Sequence, residues 1–305
     1  MYKIKFHSIS NPCIGVEDPI NCNAINHIMN EYNGGSYIWS NFYEIVPPNS
    51  TNYDFVIIQN LPHPDYKYDQ KKAIFIYTEP RDVIKDWSHV LYGSNTYDVD
   101  NMDDTDFFRV FDIERNKVFP SYGVKPISNC TRSGDGLSVL ITEKNNFIGH
   151  KKRLDFINRY LFKYDNCDRI FTKDWAEHYE QVKSKGIFKN MFFADYYDIF
   201  TKYKYNFNCE NCWDDNYVTE KLVSPLRAGC LVFYAGTSTV FNHIDPRCYI
   251  YLDLDKPDES YETIVKSIYD REWEKRIQYI QKNKNTLFNY CNVLEHVEFI
   301  IRGII

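Results

Sequence analysis

Short apolar runs separated by polar, turn-forming stretches set the rhythm of the first half of the chain. Residues 2 to 9 alternate, with Ile4 and Phe6 on one face, and read as a strand. Residues 37 to 46 are strand-like again, and Pro47-Pro48 followed by Asn49-Ser50-Thr51 marks a turn. The runs YDFVII (53 to 58) and AIFIY (73 to 77) are continuously apolar and bounded by turn residues, the pattern of strands buried on both faces. Helices are expected around Ala24 to Met29 and over Arg81 to Leu91, and a short strand over Arg109 to Ile113. Strands alternating with helical connections predict an α/β layer. Pro126 to Gly136, with Pro, Ser, Asn and two Gly, reads as a linker, so the first α/β domain is expected over 1–130.

A second α/β domain is expected over 131–275. It opens with the strand LSVLIT (137 to 142), followed by a helix from Gly149 to Tyr164 on which Leu154, Ile157, Tyr160, Leu161 and Tyr164 recur at helical spacing. Arg169 to Thr172 is a strand candidate, Trp175 to Lys185 a polar helix or loop, and Tyr249 to Leu254 another strand. The stretch between, YNFNCENCWDDNYVTEKLVSPLRAGCLVFYAG (205 to 236), reads as one βαβ unit. Its loop and helix start fall at the carboxyl edge of the sheet, a common seat for phosphates. Beyond Asp258 the chain is largely helical, and 276–305 is expected to form a C-terminal helical segment packing back on the first domain. Its apolar end, VEFIIRGII, is too short to span a bilayer.

Composition changes this picture little. At 305 residues, with 44% hydrophobic and 26% charged side chains, the chain has an ordinary globular balance and length for two domains. A net charge of −6 argues against a duplex nucleic-acid binder, which needs clustered cations. The 26 Tyr and 21 Phe suit sugar handling, although an AT-rich coding bias produces the same excess. Nine scattered cysteines fit a reducing compartment better than a disulfide framework, so the sequons at Asn49 and Asn129 carry little weight. The N-terminus enters a strand directly, with no apolar leader or anchor, and a soluble or cytoplasmic protein is expected.

Chemistry concentrates at three places. Lys151, Lys152 and Arg153 lie in the first turn of a predicted helix, where cations oppose the dipole unless an anion sits there. Arg153 is the member best shaped to fork onto phosphate. In Asn216-Tyr-Val-Thr-Glu-Lys221, Asn216 or Thr219 is placed to cap the helix. Lys221 suits a diphosphate, while Glu220 and Tyr217 suit ribose or sugar hydroxyls. Glu79 follows a strand's carboxyl end, where α/β folds place chemistry. The pair Cys209-x-x-Cys212 lacks the further ligands of a zinc site and the helix start of a redox motif, so reduced, partly buried thiols are the better reading.

Glu210-Asn211, a polar spacer, Tyr217-Val-Thr-Glu-Lys221, Ala228-Gly229 and LVFYAG together resemble the signature of the α-1,3/1,4-fucosyltransferase family, glycosyltransferase family 10. The segments IYTEP (76 to 80), FFRVFDIERNKVFPSYG (107 to 123) and LIT (140 to 142) followed by Arg153 are similar to family segments in the same order, so the resemblance covers about residues 74 to 255. Cys209, Cys212, Asn216 and Pro225 depart from the pattern. The resemblance implies a GT-B architecture, two Rossmann-like domains facing across a cleft with the acceptor side first. It implies inverting transfer of fucose from GDP-fucose to a glycan hydroxyl. Glu79 would be the general base, and Arg153, Asn211, Tyr217, Glu220, Lys221 and Thr142 would hold the donor. No bound cofactor or protein-held metal is implied, although Mn2+ or Mg2+ is expected to stimulate. Two alternatives stay open: a same-fold enzyme for another sugar nucleotide, and a non-catalytic glycan-binding protein. A nicotinamide-dependent oxidoreductase is disfavoured because no G-x-G-x-x-G follows a strand.

Overall fold

A computed structural model describes residues 1–8, 37–38, 41–47, 50–76, 136–140, 144–165, 167–171, 191–193, 198–215, 217–242, 244–290 and 293–304. The chain divides into two compact units, Met1–Val118 with Cys291–Ile305, and Phe119–Tyr290. The expected elements at 24–29, 81–91, 109–113 and 175–185, and the linker at 126–135, lie outside the described residues.

The first unit is built on strands β1 (Tyr2–Ser8), β2 (Tyr37–Ile38), β3 (Tyr43–Ile45), β4 (Phe55–Gln59) and β5 (Ala73–Ile76), in the order β2-β3-β1-β4-β5. All neighbours run parallel except β2 against β3, so the long strand expected over 37–46 is two short ones paired antiparallel to each other. The alternation in β1 suggests one wet face, but both faces are buried: Ile4 and Phe6 on one side, Lys5 and His7 on the other. The polar side is closed by aromatic rings. Lys5 Nζ lies 3.8 Å from the Tyr53 ring centroid. His7 stacks on Tyr66 at 3.5 Å and 3°, and its Nε2 accepts the backbone N–H of His63 at 3.0 Å.

The second unit carries β6 (Leu137–Leu140), β7 (Cys167–Phe171), β8 (Met191–Phe193), β9 (Tyr205–Cys209), β10 (Leu231–Ala235) and β11 (Tyr249–Tyr251), ordered β11-β10-β9-β6-β7-β8 and all parallel. Counted within the unit this is 3-2-1-4-5-6, the doubly wound order whose switch point lies between its first and fourth strands, here β6 and β9. Its helices are α1 (Ile148–Arg159), the short α2 (Asp198–Thr201), α3 (Glu220–Arg227), α4 (Pro257–Tyr269) and α5 (Glu272–Tyr290); the last helix, α6 (Val293–Ile304), groups with the first unit. Arg302 of α6 lies over the Phe42 ring.

Helix α1 stops sooner than its apolar spacing suggests, with Ile157 and, past its end, Leu161 buried as that spacing predicts. Its buried stripe is Gly149, His150, Arg153, Phe156 and Ile157, with Phe156 against Phe207 of β9. Tyr160 falls just past its end and donates its hydroxyl to Asp258 at 2.6 Å. Two polar side chains thus occupy core-facing positions, which leads to the site below.

Pro225 sits inside α3 and has no N–H to donate to the Lys221 carbonyl. The helix ends in a Schellman turn: Cys230 N–H donates to Pro225 O and Gly229 N–H to Leu226 O, both at 2.9 Å, with Gly229 at φ 88°. Replacing Gly229 by Ala forces a Cβ into the left-handed region and should lower unfolding free energy by about 1–2 kcal/mol, measured by urea denaturation.

Burial, with His63 and Lys5 nearby, pushes His7 down to about 3. The unfolded chain, with an ordinary histidine value near 6.5, therefore binds the proton first. This contribution to stability is whole above pH 6.5 and is lost as the pH falls towards 3. Urea unfolding should be weaker by about 2 kcal/mol at pH 5 than at pH 7 on this account, and His7→Phe should flatten that difference.

Candidate functional site

The carboxyl ends of β6 and β9 deliver α1 and the Glu210–Asn211 loop to the switch point. Along β9 the odd residues Tyr205, Phe207 and Cys209 share one face, and Asn206, Asn208 and then Glu210 share the other. All are buried. Asn206 donates from Nδ2 to Ser138 Oγ on β6 at 2.8 Å, and Asn208 donates to Asn206 Oδ1, so a polar ladder crosses the sheet interior.

Glu210 stands at the end of this ladder with no exposed surface. Its carboxylate accepts Thr219 N–H at 2.8 Å, Thr219 Oγ1–H at 2.7 Å and the Tyr234 hydroxyl at 3.1 Å, with Lys221 Nζ 3.6 Å away. Every hydrogen bond made to it comes from a donor, the set a carboxylate takes. Burial lifts its pKa above the usual carboxylate range, opposed by Lys221 and the Thr219 bonds. One side chain therefore ties the end of β9 to the start of α3 and to β10.

Two glycines exist where they do because of this residue. A Cβ on Gly149 would sit 1.9 Å from Glu210 O, so only glycine lets α1 approach; its N–H donates to Asn211 O at 2.9 Å. A Cβ on Gly236 would meet the Tyr234 hydroxyl at 2.5 Å and Glu210 Cγ at 2.8 Å.

Thr219 is the N-cap of α3, its hydroxyl accepting Lys221 N–H at 3.4 Å and lying 3.2 Å from Lys221 Nζ. Lys221 also pairs with Glu220 at 3.1 Å. Burial pulls its pKa down, but Glu220 and Glu210 outweigh this and hold the ammonium above the ordinary lysine range. These two carboxylates account locally for a cation at the start of the helix. The basic run of α1 divides: Lys151 is exposed, Lys152 pairs with Asp255 and lies 4.8 Å from the Trp213 ring centroid, and Arg153 turns inward. Burial lowers the Arg153 pKa, countered by Cys209 and Glu210.

Of the expected donor residues, Arg153, Asn211, Tyr217, Glu220 and Lys221 gather around Glu210. Tyr217 is buried and, after burial and Glu210, adds to the upward shift of the Tyr234 hydroxyl. Asn211 Oδ1 lies 2.8 Å from His150 Nε2. Glu79, Thr142 and Asn216 lie outside the described residues. Residue-type reasoning passed over Glu210, Tyr234 and His150. The signal for Glu210 was present, since polar side chains fall on every second position of an otherwise apolar strand. Nothing comparable marks His150. Cys209 and Cys212 are free and buried, and burial pushes both thiols up to about 12, well above reactive values. Among the described residues no three or more His, Cys, Asp or Glu side chains converge as metal ligands, and no helix is long and apolar enough to cross a membrane.

Removing a buried carboxylate leaves its donors and its ammonium behind. Glu210→Ala should therefore cost about 3–5 kcal/mol of unfolding free energy, and Glu210→Gln distinctly less, measured by urea denaturation.

No family model matches the chain. It is 26% identical over 113 residues, 32% of this chain and 18% of the relative, to a protein of Acanthamoeba polyphaga mimivirus whose name reads "Putative fucosyltransferase". It is 28% identical over 106 residues, 34% of this chain and 23% of the relative, to GDP-fucose protein O-fucosyltransferase 3 of Danio rerio. The matched stretches thus span about a fifth of these relatives' lengths. Among solved structures, sucrose-phosphate synthase of Thermosynechococcus elongatus is similar at 8% identity and TM-score 0.52, with 100% of this chain and 99% of that chain covered. Anabaena HepE in complex with UDP-glucose is similar at 10% identity and TM-score 0.52, with the same coverage. With its two parallel-sheet, Rossmann-like units, the fold is GT-B.

Proposed function

We propose that the protein is a glycosyltransferase whose second unit holds the diphosphate of a nucleotide sugar beside the starts of α1 and α3. One observation carries this reading: Arg153, His150 and Lys221 gather at the switch point of a 3-2-1-4-5-6 sheet, around a carboxylate already engaged by donors. Helix starts and cations stabilise phosphate there.

The finer reading is inverting transfer of fucose from GDP-fucose to a glycan hydroxyl, supported by the names of the two relatives and by the Tyr217-Val-Thr-Glu-Lys221 signature. Glu79 takes the acceptor hydroxyl proton as general base. The oxygen bonds to the anomeric carbon while the bond from that carbon to the diphosphate oxygen breaks, and GDP leaves with the electron pair. Arg153 and Lys221 oppose the charge that develops on it. Asn211, Tyr217 and Glu220 hold ribose and sugar hydroxyls, and Thr142 joins the donor side.

A panel of GDP-, UDP- and dTDP-sugars should give its largest melting-temperature rise with GDP-fucose. Glu79→Gln should lower transfer by about 10²-fold or more while keeping that rise. Unchanged turnover would remove Glu79 as the base. A rise with another donor alone would reassign the sugar, and no rise with any donor would favour a glycan-binding role.

A further inference from the structure

His150 is the third residue of α1, and only 3% of its surface is exposed. Helix α1 starts at Phe147 without a side-chain cap and without an acidic residue in its first turn, so its dipole is unopposed from within the helix. The imidazole is bonded through Nε2 to Asn211 Oδ1 at 2.8 Å, while its Nδ1 is buried with no hydrogen-bond partner among the described residues. Since the amide oxygen accepts, Nε2 carries the proton and Nδ1 of the neutral ring is a bare lone pair. Leaving such an acceptor buried and unpaired is unfavourable, because it has lost its water and gained no donor.

The charged groups facing the ring come from three directions. Arg153 lies on its own helix, Lys144 precedes it, and Lys221 reaches from α3. The carboxylates nearby are engaged: Glu210 with Thr219, Tyr234 and Lys221, and Glu220 with Lys221. Lys152 is drawn off to Asp255, and the Cys209 thiol is held neutral. Burial, then Arg153, hold His150 down to about 4, with the Asn211 bond opposing, so the ring is neutral at physiological pH.

A bound diphosphate would reverse the cationic part of the field that, together with burial, keeps this histidine neutral. We propose that His150 takes up one proton at Nδ1 when a diphosphate occupies the site, and that the Nδ1–H so formed is donated to a phosphate oxygen. The proton comes from solvent, Nε2 stays with Asn211, and the buried lone pair gains its use. His150 is then a titratable donor-binding residue beside the permanent cations Arg153 and Lys221. This inference rests on the reading of the second unit as a nucleotide-sugar site.

The test is calorimetric titration of the full chain with GDP-fucose. Its diphosphate is esterified at both ends and keeps its charge over the working pH range, whereas the terminal phosphate of GDP titrates near pH 6. At pH 6, comparing two buffers of different ionisation enthalpy should show uptake approaching one proton per site. Affinity should be roughly tenfold or more higher at pH 5.5 than at pH 8. His150→Gln keeps a donor for Asn211, and it should show neither the uptake nor the slope. Binding by the wild type without proton uptake, or the same uptake in His150→Gln, would overturn the proposal while sparing the donor-site reading. No binding of GDP-fucose from pH 5.5 to 8.5 would sink both.

Discussion

The second unit depends on a buried carboxylate. Glu210 lies where desolvation disfavours its charge, and it is held there by Thr219, Tyr234 and the Lys221 ammonium. Those bonds set where α3 begins, because Thr219 can be its N-cap only while its own N–H and hydroxyl are directed to Glu210. They also set how close α1 and β10 may come, because Gly149 and Gly236 press directly on Glu210 and its neighbours. Two helix starts and the ends of two strands are thereby fixed around one negative charge.

That arrangement explains how cations are tolerated at helix starts that disfavour them. Lys221 gains two carboxylates, which outweigh its burial. Arg153 is buried near Glu210 and Cys209, and Lys152 is diverted to Asp255. At Lys221 the local dipole is therefore not the deciding term, since two carboxylates at 3.1 and 3.6 Å in a largely buried setting exceed a helix-end contribution of about 0.3–1 kcal/mol. Burial, with Arg153 of the same cluster, holds His150 neutral.

Much of the architecture was legible from apolar patterning. The βαβ unit from Tyr205 to Ala235 follows from one apolar run, one cap and Ala228-Gly229, because local propensity, turn chemistry and burial agree there. Where they disagree, pattern reading was misled. Lys5 and His7 look solvent-facing by alternation, but aromatic rings and a backbone N–H supply buried partners that no local pattern reveals. On α1 the apolar spacing marked Ile157 and Tyr160 but not Arg153 and His150, which lie on the same buried stripe. The Tyr160 hydroxyl instead finds Asp258, 98 residues later.

Two α/β halves, the helix from Thr219 to Gly229 and the candidate cations Arg153 and Lys221 can be read from the residues alone, because caps, glycine stops and apolar runs act over a few residues. That Glu210 is the hub, that Gly149 must lack a side chain and that His150 meets Asn211 follow from the folded chain. Each of these joins residues 9 to 61 positions apart through contacts at or within hydrogen-bonding distance. What a buried polar group does is set by the partners that replace its water, and those partners are chosen by the fold.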